Sequence, residues 1–322
     1  MKSKLMCVAL ASLCAMAAVE TPAQTYPNKP IRMVVGFPPG GGNDLLARTV
    51  SPKLSELLSQ SVVVDNKPGA GGNVAAEFVS RAPADGYTIL VMSSSHPIQK
   101  LLKPELSYDP IADFTPLARL AQYSYILVIH PGVKARSVKE LVALAKAQPG
   151  KLNFVSSGNG SGSHLVGELF KIATSTDMTH IPYKGGAQAI TDLVGGRVEM
   201  MFSPIPAVMS HIKSGKLIVL ATTGSRRSQA LPDVPTVGEA GFPAFTASSW
   251  YGVVGPAKMP AAVSDLLNKQ INVVLHAPDV SERLANEGAE PAPMTREQFA
   301  QLIRSDHQKW GKVISATGIR GD

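Results

Sequence analysis

Cysteine is almost missing from this 322-residue chain, and the two that occur, Cys7 and Cys14, both lie in its first 23 residues. From Gln24 onward there is no thiol nucleophile, no thiolate metal ligand and no disulfide, and a domain with a large core needs none even outside the cytoplasm. No apolar run after that point approaches the ~20 residues that span a bilayer. Aromatic residues amount to 6%, and the sole adjacent basic pair, Arg226-Arg227, has no aromatic interleaving. A nucleic-acid groove therefore has no support. Several enzyme signatures are missing too. There is no Gly-x-Ser-x-Gly elbow, no Gly-Lys pair followed by Ser or Thr, and no Gly-x-Gly-x-x-Gly at either glycine-rich loop. Those gaps count against hydrolase and nucleotide chemistry. The seven histidines show neither His-Glu-x-x-His nor any close ligand spacing, so neither a metal nor a cofactor is expected.

The first 23 residues read as a segment apart. Lys2 and Lys4 form a charged start, Leu5 to Val19 are apolar or small, and Thr21-Pro22-Ala23 offers a cleavage site ahead of Gln24. This pattern predicts a cleavable secretory signal and a soluble periplasmic product. A lipoprotein anchor at Cys14 competes with it, but Leu13 stands where that processing wants a small residue. Without the leader the formal charge falls one unit from the +7 of the whole chain. That modest, dispersed excess suits a protein that concentrates small anions.

At this length roughly two domains are expected from a ~150-residue prior. Apolar strands alternate with helical patterns almost throughout, which predicts an α/β fold of mainly parallel sheets covered by helices. The rhythm runs from an opening strand at 31–35 to another at 87–92, then restarts and continues from a helix at 137–147 to a strand at 216–222. Two apolar segments, 120–129 and 247–254, have no crossover helix of this kind and are candidates for chain crossings between domains. The division expected is a discontinuous first lobe, 24–121 plus 249–322, and a continuous second lobe, 122–248. The C-terminal helices, near 260–276 and 295–316, then belong to the first lobe.

Ligands of open parallel sheets bind beyond the carboxyl ends of the strands, where loop meets helix. Two such junctions are rich in glycine. The first runs Gly36-Phe37-Pro38-Pro39-Gly40-Gly41-Gly42-Asn43-Asp44. Glycines let backbone N–H groups approach a ligand, and the helix that follows presents unpaired N–H groups and the positive end of its dipole. Gly40, Gly41, Gly42 and Asn43 are the candidate anion contacts, with Phe37 packing over a carbon skeleton. Asp44 repels a bound anion, so its capping role competes with ligand contact. The second junction, Ser157-Gly158-Asn159-Gly160-Ser161-Gly162-Ser163-His164, combines amides with hydroxyls. Ser157, Gly158, Asn159, Gly160, Ser163 and His164 are candidates there. Ser94, Ser95 and His96 follow the strand at 87–92. Tyr183 and Gly185 follow the strand at 179–183, and Ser203 ends the strand at 198–203. Each has a plainer reading as a turn, a cap or a satisfied structural group.

Further segments complete a pattern: Tyr26-Pro27-Asn28-Lys29-Pro30-Ile31, Asn66-Lys67-Pro68-Gly69-Ala70-Gly71-Gly72-Asn73, Ala84-Asp85-Gly86-Tyr87-Thr88, His180-Ile181-Pro182-Tyr183-Lys184-Gly185-Gly186 and Trp250-Tyr251-Gly252-Val253-Val254. With the signal and both glycine loops, the chain resembles the Bug family of periplasmic solute receptors, the TctC-like binding proteins of tripartite tricarboxylate transporters. The resemblance covers essentially the whole mature chain. It implies a two-lobed, hinged type II periplasmic-binding-protein fold that closes as a monomer on a small carboxylate solute, without catalysis. Asn43 stands where many relatives carry a small hydroxyl residue. The implied partner is a membrane transporter subunit. Two alternatives stay open: a receptor that docks on a membrane sensor, and an exported hydrolase using Ser94 or Ser157 near His96 or His164. The exported protein is expected to begin at Gln24, as N-terminal sequencing of periplasmic material would show; material that retains Met1 there contradicts the signal reading.

Overall fold

Every second residue of the opening strand faces the same core, and that period-2 rule organises both halves of the molecule. The computed structural model describes residues 26–286 and 288–321; the leader expected over 1–23 lies outside them. In chain order, the first half contains β1 (Ile31–Val35), α1 (Gly42–Leu58), β2 (Val62–Asn66), α2 (Asn73–Ser80), β3 (Thr88–Ser93) and α3 (Gln99–Leu102). The long strand β4 (Phe114–Ile129) follows. The next stretch holds α4 (Val138–Ala147), β5 (Asn153–Ser156), α5 (Gly162–Thr174), β6 (Thr179–Pro182), α6 (Gly186–Val194), β7 (Met200–Pro204), α7 (Ile205–Lys213) and β8 (Ile218–Thr222). The chain ends through β9 (Ser248–Pro256), α8 (Ala261–Leu275), α9 (Pro278–Asn286), β10 (Glu290–Pro291) and α10 (Arg296–Thr317).

β1 pairs in parallel with β2 and β3, and β5 pairs in parallel with β6 and β7. Those are the crossover units that the alternating pattern predicted. The two apolar segments without crossover helices are β4 and β9, and they make the sheet mixed. β9 runs antiparallel to β3, and β4 runs antiparallel to β9 from Phe114 opposite Pro256 to Ser124 opposite Ser248. Beyond Ser124 the same strand enters the second sheet, where Tyr125–Ile129 lies antiparallel to β7 on one side and to β8 on the other. The architecture is two lobes of α/β structure joined by shared strands. β4 starts well before residue 120, because Phe114, Leu117 and Ala118 bury against the first lobe. Both α9 and the two-residue β10 escaped the sequence reading, since the Glu290-Pro291-Ala292-Pro293 stretch carries no periodicity.

Strand faces separate the cores. Met33, Val35, Ile89 and Val91 join one cluster with Leu46, Val50 and Leu54 of α1, while Val34, Leu90 and Met92 join another with Trp250 and Phe299. In the second lobe, Leu127, Ile129, Phe154 and Phe202 face one way, and Ile126, Val128, Val155 and Met201 the other. Helix α10 touches both lobes. Its Phe299 and Ile303 lie in a first-lobe core, whereas Trp310, Val313 and Ile314 pack in the cluster that holds Phe154, Leu165 and Phe170. The helix begins with a reciprocal cap between Thr295 and Gln298, which satisfies two otherwise orphaned donors. The Trp250 indole meets Phe299 edge to face at 5.2 Å and donates to Asp306 Oδ2 at 2.6 Å. Phe299→Ala is expected to cost about 3–5 kcal/mol, measured as a lower urea midpoint; a change under about 1 kcal/mol contradicts this packing.

Candidate functional site

The first glycine loop already holds an anion of its own. Asp44, in the first turn of α1, is almost wholly buried, and its carboxylate accepts from the Gly40 amide at 2.9 Å, from Arg48 Nε at 3.0 Å and from Asn66 Nδ2 at 2.8 Å. Asn66 also donates to the Phe37 carbonyl at 3.0 Å. The loop is thereby pinned to β2. Gly40 adopts a φ of +85°, a conformation glycine tolerates best. Gly41 caps α1 and donates weakly to Pro38 at 3.4 Å.

The second loop is knotted by hydroxyls. Ser163 Oγ accepts from the Ser157 amide at 3.1 Å and lies within hydrogen-bond range of the Ser157 and Ser161 hydroxyls, at 3.3 and 3.1 Å. Ser161 caps α5 by accepting from the His164 amide. The Gly160 amide donates to His164 Nδ1 at 3.1 Å, which turns that ring into a buried brace. His164 stacks on His180 with centroids 3.6 Å apart, and His180 Nε2 lies 2.7 Å from Ser156 Oγ. Ser156 in turn fixes Gly158, whose φ of +137° keeps the turn open.

Between the loops runs a cleft of 510 Å³. The second lobe lines it with Ser157, Gly158, Asn159, Gly160, Ser161 and Gly162, so the N-terminus of α5 points its amides and positive dipole end at the cleft. The first lobe contributes Phe37, Gly71, Ser94 and Ser95. Gly40, Gly41, Gly42, Asn43 and Asp44 do not reach this wall. Asn43 and His96 instead border a small chamber behind it. Ser163 and Ser203 open on an adjoining cavity of 610 Å³ that shares Ser157 and Gly162 with the cleft. Tyr183 turns away, donating to Asp192 at 2.7 Å, and Gly185 donates its amide to the Ser157 carbonyl. Ser94 and Ser157 each pair with another serine, Ser249 at 2.7 Å and Ser163, and the Ser–His contact present, Ser156 with His180, is buried off the cleft. Among the described residues no three metal-ligating side chains cluster.

The crossing strands supply what the motif reading missed. Tyr123 and Tyr125 are two residues apart on β4 and so share one face, while Tyr251 stands on β9 directly across from Ala121. Tyr251 stacks on Tyr123 at 5.2 Å, and Tyr125 lies tilted against Tyr123 at 5.6 Å. The outer rings end on helix starts. A Cβ at Gly42 would run into the Tyr251 hydroxyl, and a Cβ at Gly162 into the Tyr125 hydroxyl. Each glycine is therefore there to admit a tyrosine, which links both helix N-termini through one aromatic ladder. Burial, together with Tyr123, pushes the Tyr125 phenol well above its ordinary value, so it stays a neutral donor. Among the described residues lining the cleft, Lys103 is the one with a charged side chain. The Tyr-x-Tyr spacing inside an apolar strand was the signal available in the sequence.

A cleft lined from two α/β lobes, with the start of α5 on one wall and a pair of shared strands between the lobes, defines a periplasmic-binding-protein type of solute receptor. The chain belongs to the tripartite tricarboxylate transporter family receptors, whose family model matches residues 46–319. It is 39% identical to protein BugT of Bordetella pertussis over 310 residues, 95% of each chain. Among solved structures it is similar to Rpa4515 of R. palustris with adipate, at 34% identity and a TM-score of 0.79, covering 92% of this chain and 99% of that one. It is likewise similar to MatC of Rhodopseudomonas palustris with bound malate, at 30% identity and a TM-score of 0.75, covering 90% and 100%. No described helix is long and apolar enough to cross a membrane.

The Asp44 knot carries a pH signature. Burial alone raises this carboxyl, but the donors from Arg48, Gly40 and Asn66 outweigh it and hold its pKa below the ordinary value. Such a group stabilises the fold above the unfolded-state pKa, and the contribution is lost as pH falls through the folded one. Asp44→Asn is expected to cost about 1–3 kcal/mol at pH 7, with the gap to wild type closing below about pH 4 in urea melts at stepped pH; a gap constant down to pH 3 contradicts the assignment.

Proposed function

We propose that this chain is a periplasmic receptor that captures a small carboxylate solute between lobe 1, residues 24–121 plus 249–322, and lobe 2, residues 122–248. It then presents the solute to the membrane subunits of a tripartite tricarboxylate-type transporter. The observation that carries the reading is the cleft wall itself. Neutral hydroxyls face it from both lobes, α5 turns its positive end to it, and among the described residues lining it the one charged side chain is the cation Lys103. Such donors hold a carboxylate without the desolvation cost of burying a full counter-charge. The family membership and the adipate and malate in two structural neighbours support the same solute class.

The site works by division. The first turn of α5 gives amides and the second loop hydroxyls, Ser94 and Ser95 give hydroxyls from the opposite wall, and Tyr123 and Tyr125 with Phe37 give an apolar floor. A solute that bridges both walls makes contacts the open state lacks, and that difference is what drives closure. Tyr125 pressing on Gly162 keeps the α5 start in register with the ladder. Thermal shift against adipate, malate, succinate, citrate and benzoate is the first test. At least one acid should raise Tm, consistent with about 2.7 kcal/mol of stabilisation at 100 times its Kd, and its neutral amide should not. Gly162→Ala should weaken that acid by roughly 10-fold or more. Equal stabilisation by acid and amide contradicts the carboxylate reading.

A further inference from the structure

Behind the first loop lies a chamber of 20 Å³. A single water-sized group needs about 10–15 Å³ of such space, so there is room for one oxygen atom and little more. Two side chains border it whose polar atoms meet no protein partner: Asn43 through Nδ2, at 5% exposure, and His96 through Nε2, at 7%. The Pro110 backbone, which has a carbonyl and no N–H, favours a proton on the ring. With Nε2 unpartnered, that proton sits on Nδ1 and Nε2 keeps a lone pair. Burial pulls the ring down to about 4, which keeps it neutral at physiological pH. The ring is held in place by Phe114, edge to face at 4.9 Å, and by Tyr108, stacked at 5.9 Å.

One small volume is thus offered a donor by Asn43 and an acceptor by His96. A carboxylate oxygen has no hydrogen for His96, and a cation has no lone pair for Asn43. An oxygen that carries a hydrogen satisfies both. The chamber also adjoins the cleft, since Phe37, Ser93, Ser95 and Gln99 line the two together. We propose that the Asn43–His96 chamber is a binding subsite for one hydroxylic oxygen, accepting from Asn43 and donating to His96, supplied either by a captured water or by a hydroxyl of the solute. Asn43 and His96 then act as specificity residues, because the solute must either bring that oxygen or leave the water in place.

A high-resolution crystal structure of the solute-free protein tests the subsite without assuming any solute. A single oxygen peak within about 2.6–3.2 Å of both nitrogens is expected; a chamber without density, or one holding an anion, overturns the proposal. Complexes with malate and with succinate, which lacks the hydroxyl, separate the two sources, and this step rests on the carboxylate reading above. If the solute supplies the oxygen, the malate hydroxyl replaces the peak, malate binds roughly 10-fold tighter than succinate, and Asn43→Leu removes the preference. If water supplies it, the peak persists in both complexes and the two acids bind alike; that outcome supports the subsite equally. Should neither acid bind, the solute reading fails while the solute-free density still decides the chamber. In Asn43→Leu, with an unchanged thermal melt confirming the fold, the peak should vanish; a peak that persists there contradicts the role of Asn43.

Discussion

The antiparallel pairing of β4 with β9 is the constraint from which the rest of the molecule follows. β4 is hydrogen-bonded into the first sheet as far as Ser124 and into the second from Tyr125 onward. Any loop at the end of a parallel strand in either lobe is therefore referred to the same two strands. The tyrosines on those strands make that reference physical: Tyr251 rests on Gly42, Tyr125 on Gly162, and Tyr123 lies between them. Glycine at the two helix starts is a steric requirement of the ladder as much as a means of exposing amides.

The two loops have divided the handling of negative charge. In the first, the carboxylate of Asp44 occupies the glycine amide and ties α1 to β2 through Asn66. That internal anion pins the loop behind the cleft wall. In the second, hydroxyls and His164 rather than a carboxylate tie the turn, which leaves the start of α5 and its serines on the cleft wall. A neutral, preorganised donor set binds an anion with little reorganisation, and it discriminates by shape, since no full counter-charge dominates the energy. Helix α10 adds a strap between the lobes, because its early turns pack with Trp250 and its late turns with the second-lobe core.

Much of this was legible in the sequence because period and punctuation are local. The parallel units and the Gly-rich junctions follow from residues close to one another in the chain, and segments 120–129 and 247–254 stood out by lacking crossover helices. What was not legible depends on distant pairs. Nothing local says that Gly42 answers to Tyr251 or that Gly162 answers to Tyr125. The direction of the Asp44 carboxylate depends on Asn66, twenty-two residues on. Both glycine loops read as anion cradles, yet Gly40–Asp44 stay off the cleft wall that the second loop lines, because the Gly40 amide is taken by the Asp44 carboxylate. α9 and β10 carry weak patterns and are fixed by packing against α1, α8 and β4.

The central claim is that one carboxylate is gripped by both lobes at the start of α5. A crystal structure of the complex with the acid that stabilises the protein most tests it directly. The account predicts carboxylate oxygens accepting from the Ser157–Gly162 loop, with Ser94 or Ser95 meeting the solute from the facing wall over the tyrosine rings. A solute held wholly by one lobe, or seated outside the cleft, would contradict it.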